Sequence, residues 1–348
     1  MQATYRGDEL NRVERVTHNR SGLWIAIAIT VLGLLVFTGV FNFLIPDFGA
    51  NLDGLALILL GLIFSLVPAA LWLAFFYQFD RLEPEPKQMV FNVFVLGALI
   101  AGALHAPLVD GLFGFRDWQY NSWWAHLLGG ILIVGIIEQT LVYLAVRFSV
   151  FSHPEFDERV DGVIYAIAAG LGMATVYNFQ YVVASGGVDL DIGSIRMVVN
   201  ALAYASFSGV LGYFIGQMRF EKVPIYYMPM GLLIAATFNG LFFFLLERTF
   251  SGGLNYNPWS DLIFAAAIAI IVLALVFWLI ERANEETLRV ARQPLRSEPG
   301  FDAIGTPGLA PAPAESTPPT VAVYPEETPP AAPSDAAQTG PSAHEENA

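Results

Sequence analysis

The chain has 348 residues, of which 55% are hydrophobic and only 14% charged, at a mean hydropathy of +0.55. Soluble domains run nearer a quarter charged, so an ordinary water-soluble enzyme is excluded. Seventeen basic against 31 acidic residues give a net charge of −14, which disfavours a nucleic-acid partner, and the absence of cysteine removes disulfides, thiolate metal sites and cysteine nucleophiles.

In chain order, a basic N-terminal segment over residues 1–21 precedes eight apolar runs. These are Gly22–Ile45, Gly54–Phe79, Met89–Phe113, Ser122–Arg147, Asp161–Ala184, Ser194–Gln217, Tyr226–Glu247 and Ser260–Glu281. Each is long enough to cross a hydrocarbon layer roughly 30 Å thick. Lipid cannot satisfy open backbone groups, so the runs are expected to be helices. The alternating segments of about ten residues that mark a β-barrel are absent. The predicted fold is therefore all-α, a polytopic bundle of about eight transmembrane helices over residues 22–281. Pro68 and Pro107 fall inside spans and are expected to kink them. From residue 282 a Pro-rich acidic tail is expected to be disordered, since 12 of the 21 prolines lie between Pro294 and Pro341.

Fourteen of the 17 Lys and Arg residues fall on one side of these spans. Arg6, Arg12, Arg15 and Arg20 precede the first span, and Arg282, Arg289, Arg292 and Arg296 follow the last. Arg116, Arg196 and Arg248 fall on the other side. The positive-inside bias predicts both termini in the cytoplasm of a plasma (inner) membrane protein, and an even span count agrees. Trp118, Trp123, Trp124 and Trp259 fall at outer ends, and Trp24 and Trp278 at inner ends, as interfacial anchors do. The first span lacks a small-residue cleavage site and reads as a retained helix.

A charged side chain at membrane depth costs about 2.5–3.5 kcal/mol on insertion scales, which makes it a candidate for function. Glu138, near the middle of the fourth span with Gln139 beside it, is the clearest case. A ligand or acid–base role competes there with a carboxyl simply hydrogen-bonded between helices. Tyr204, Ser208, Gly212 and Gly216 recur at four-residue steps in the sixth span, so Tyr204 should point into the bundle. Glu138, Tyr204 and Asn239 are expected at similar depth on separate helices; the fifth span also holds Asn178 and Tyr177, with Tyr177 nearer the outer side. His105 and Asp110 stand five positions apart, about 140° round a helix, and do not share a face. Metal-ligand spacings such as HExxH are missing.

In this region the chain resembles the PrsW-type intramembrane metalloproteases. The resemblance rests on FDRLEPEP (Phe79–Pro86), GIIEQTLVYL (Gly135–Leu144), EFDERVDGVIYAIAAGLGMATVYN (Glu155–Asn178), YASFSGVLGYFIG (Tyr204–Gly216) and AATFNGL (Ala235–Leu241), and covers about residues 65–245. It implies a membrane bundle that holds a metal through an EExxK motif, a further glutamate and two histidines. This chain keeps the first glutamate as Glu138, but has Gln139 for the second and Val142 for the lysine. Tyr177 stands for the glutamate before Asn178, Tyr204 for one histidine and Ala235 for the other. A hydrolytic site wants about three protein ligands plus water.

The expectation is a pseudoprotease with no metal, which binds another protein's transmembrane segment through a polar cluster of Glu138, Gln139, Tyr177, Asn178, Tyr204, Ser208 and Asn239. The first alternative is an active metalloprotease with zinc, using His105 or His126 as unaligned ligands. The second is a transporter or a structural assembly protein, with Glu138 as a proton-linked group.

Overall fold

The computed structural model describes residues 20–40, 54–79, 84–185, 193–251 and 258–296, and all regular elements among them are helical. They are α1 (Arg20–Gly39), α2 (Gly54–Tyr77), α3 (Lys87–Ala106), short α4 (Phe115–Trp118), α5 (Trp123–Gly129), α6 (Ile136–Ser149), α7 (Arg159–Ala184), α8 (Gly193–Phe220), α9 (Tyr227–Ser251) and α10 (Pro258–Arg296). A π-helical segment, Pro107–Leu112, continues α3, and a second, Gly130–Gly135, joins α5 to α6.

Seven of the described helical segments are long and apolar enough to cross a membrane, and they coincide with the second to eighth predicted spans. The protein is a multi-pass membrane protein. Of the first predicted span, α1 runs to Gly39, and residues 41–45 lie outside the described residues. So do the N-terminal segment before residue 20 and the tail after residue 296. One boundary differs from expectation. The last span was placed to end at Glu281, with a structureless tail from residue 282, yet α10 runs on as helix to Arg296. Its polar continuation is held by side chains: Arg282 Nε donates to Glu286 Oε1 at 2.9 Å one turn on, and Gln217 of α8 donates to the other oxygen of Glu286. Buried Arg159, at the start of α7, adds bonds to Gln217 at 3.2 Å and to Glu221 at 3.1 Å.

Two helices form the centre. In their most apolar windows α7 is 89% buried and α8 94%, whereas the other five spans are 28–44% buried and face the surroundings. The small-residue stripe predicted on α8 explains this pairing. A Cβ on Gly212 would run into the carbonyl oxygen of Gly162, and one on Gly216 into that of Arg159, so the two backbones touch where side chains are absent. α3 closes on the other side of α7 in the same way, through Gly97 against Ala169 and Gly172 against Phe94.

Local signals start and bend the helices. Ser122 caps α5 by accepting from the Ala125 N–H at 3.1 Å. Glu158 and Asp161 form a reciprocal capping box on α7, with the Glu158 N–H donating to Asp161 Oδ2 at 2.6 Å. Pro68 lies inside α2 without ending it. Pro107 heads the π segment after α3, where its missing N–H removes the ordinary donor to the preceding turn.

Candidate functional site

Glu138 is the third residue of α6, one turn past the π segment Gly130–Gly135, and is 1% exposed. The glycines of that segment allow α9 to come close. A Cβ at Gly135 would strike the Ala236 carbonyl, and one at Gly240 would strike the backbone of Ile131. This approach carries Asn239 to the carboxylate, where Nδ2 donates to Oε2 at 2.8 Å. Tyr204 of α8 donates its hydroxyl to the same oxygen at 2.8 Å. The other oxygen, Oε1, faces Nδ1 of His105 from the end of α3 at 3.2 Å. Four helices thus meet at one buried carboxylate. A buried polar group without partners costs about 1–3 kcal/mol, and this one is well supplied.

Tyr177 joins the group from α7. Its hydroxyl lies 3.0 Å from His105 Nδ1, and its ring packs 4.9 Å from the imidazole and 5.2 Å from the ring of Tyr204, centroid to centroid. Its predicted displacement toward the outer side did not separate it from the cluster. His105 is the residue that spacing undervalued. It was weighed against Asp110, which instead pairs with Arg116 at 2.9 Å. The signal available in the sequence was its place near the far end of a span running antiparallel to the one carrying Glu138. The His105 side chain is 23% exposed against 2% for Glu138, so the imidazole is where the cluster meets its surroundings.

The remaining predicted residues divide. Gln139 is fully buried next to Glu138, and among the described residues neither amide atom has a hydrogen-bond partner. Ser208 is buried one turn from Tyr204, against Gly170, and its hydroxyl likewise has no partner among the described residues. Asn178 is drawn into a separate amide relay, donating to the Met197 carbonyl at 3.1 Å and accepting from Asn200 at 2.9 Å. That relay ties α7 to α8. His126 is boxed by the rings of Tyr120, Phe243 and Phe244 at 5.2–5.5 Å.

The donor set can be tested against a catalytic metal. Among the described residues no three His, Cys, Asp or Glu side chains come together. Glu138 and His105 supply one carboxylate and one imidazole, and the other neighbours are phenols and a carboxamide whose N–H points at the carboxylate. A phenol ionises near pH 10 and makes a poor ligand at neutral pH. The lone pairs of Glu138 Oε2 that a cation would use receive two hydrogen bonds. These residues do not fit a zinc ion held by three protein ligands.

Comparison with known proteins gives the family. The profile of the PrsW family intramembrane metalloprotease matches residues 85–280. Protease PrsW of Bacillus subtilis (strain 168) is 26% identical over 189 residues, which span 52% of this chain and 80% of that protein. Protease PrsW of Oceanobacillus iheyensis is 23% identical over 229 residues, 64% of this chain and 96% of its own length. Protease PrsW of Clostridioides difficile (strain 630) is 25% identical over 220 residues, covering 62% and 86%. No solved structure matches. With more than half its length inside the family profile, the chain belongs to the PrsW family of intramembrane metalloproteases.

Proposed function

We propose that this PrsW-family protein is a pseudoprotease of the plasma membrane, with both termini cytoplasmic, which binds the transmembrane segment of another protein without cutting it. The observation that carries the reading is the occupation of Glu138. Tyr204, Asn239 and His105 converge on its two oxygens, in place of a second carboxylate and further imidazoles. Binding of a membrane segment draws on close packing against small residues and on hydroxyl and amide hydrogen bonds. The cluster of Tyr177, Tyr204, Ser208 and Asn239 is of that chemistry. The test is incubation of the reconstituted protein with a model single-span substrate. The expected result is co-purification of intact substrate, unchanged by chelator. Cleavage abolished both by chelator and by Glu138→Gln would overturn the reading.

One observation favours a second reading, an active zinc protease. His105 brings an imidazole within 3.2 Å of Glu138 although it lies outside the blocks that carry the resemblance. Under that reading, His105→Ala abolishes both zinc binding and cleavage.

A further inference from the structure

A groove of about 540 Å³ runs between α3 and the end of α6, on the far side of α6 in sequence from Glu138. Its wall on α3 extends from Met89 to Leu99, and Val150 and His153 close it at the α6 side. Ten residues of helix rise about 15 Å, which is one half of a hydrocarbon core roughly 30 Å thick. The groove therefore has the length of a single leaflet. The groove has half the length that a partner's transmembrane helix would occupy, and it suits a hydrocarbon chain.

The polar end of the groove is also defined. Lys87, Phe91, Val95 and Leu99 follow one another at four-residue steps, so they share a stripe of α3. Phe91, Val95 and Leu99 line the groove, and Lys87, at the start of α3, stands exposed one turn before them. His153 also lines the groove, from the loop that follows α6.

We propose that this groove is a phospholipid site, with an acyl chain of one leaflet lying along Val95, Leu96 and Leu99 and its phosphate against Lys87. Exposed Phe148 provides a control on α6, since it is 82% exposed and does not line the groove.

The test is native mass spectrometry of the full chain reconstituted with dioleoylphosphatidylglycerol, with dioleoylglycerol as the phosphate-free competitor. The expected result is one phospholipid retained per chain through delipidation, in wild type and in Phe148→Trp alike. Leu96→Trp, which fills the groove, should lose it. Lys87→Gln changes an exposed side chain and should weaken retention about fivefold, the worth of one basic residue at an anionic surface, while leaving dioleoylglycerol binding unchanged. Equal retention by Leu96→Trp and wild type would overturn the site. Equal competition by dioleoylglycerol, with Lys87→Gln without effect, would overturn the assignment of a phospholipid.

Discussion

At the scale of residues, three side chains share one carboxyl group. Tyr204 and Asn239 both donate to Oε2 of Glu138, and His105 faces Oε1. A buried polar group left without its partner costs about 1–3 kcal/mol. Tyr204→Phe keeps the ring and removes the donor, so it should lower unfolding free energy by roughly that amount. Detergent-to-SDS unfolding followed by circular dichroism reads it. Tyr204→Phe combined with Glu138→Leu should cost less than the sum of the two single changes, because the second change removes the acceptor that the first leaves short. Strict additivity would show that the two side chains do not interact. The residue pattern was partly legible. Glu138, Tyr204 and Asn239 were placed together because a lone polar residue in lipid must face protein. His105 was not, because its partner lies on another helix and its neighbours in sequence carry no polar stripe. Asn178 was read into the same cluster, yet its hydrogen bonds go to Met197 and Asn200. Sequence depth cannot tell which side of α7 an amide faces.

At the scale of elements, close approach decides the architecture. Gly212 of α8 and Gly162 of α7 lie backbone against backbone, whereas a Cβ at Gly102 on α3 would meet only Val176, at 3.9 Å. Gly212→Ala should therefore destabilise by about 1–3 kcal/mol through overpacking. Gly102→Ala should be neutral or stabilise by up to about 1 kcal/mol, since alanine is the better helix former. The same SDS titration checks both, and equal shifts would contradict the close contact of α7 with α8. The α8 stripe was visible in sequence as residues at four-residue steps. The π segments were not, because GGILIVG reads as continuous helix until α9 is seen to press on Gly135. The extension of α10 was missed for a related reason. ERANEETLRVARQPLR (281–296) is polar, and the hydrogen bond that Glu286 accepts from Gln217 is long-range.

At the scale of the whole molecule, hydrophobic run length supplied the spans, since lipid leaves the backbone no alternative to helix. Among the described residues, seven long apolar helices stand where seven of the eight runs are expected. Topology is the next consequence to check, and the natural absence of cysteine makes it straightforward. Single cysteines introduced at Gln2 and Ser342 should both be labelled only from the cytoplasmic side. Labelling from opposite sides would break the eight-span reading. Family membership pulls toward a metal, and the side chains around Glu138 pull away from it. The direct measurement is zinc content of the purified full-length protein after exposure to equimolar zinc and desalting. The account predicts well under a tenth of an equivalent, unchanged in His105→Ala and Glu138→Gln. One zinc per chain in wild type, lost in both variants, would contradict it.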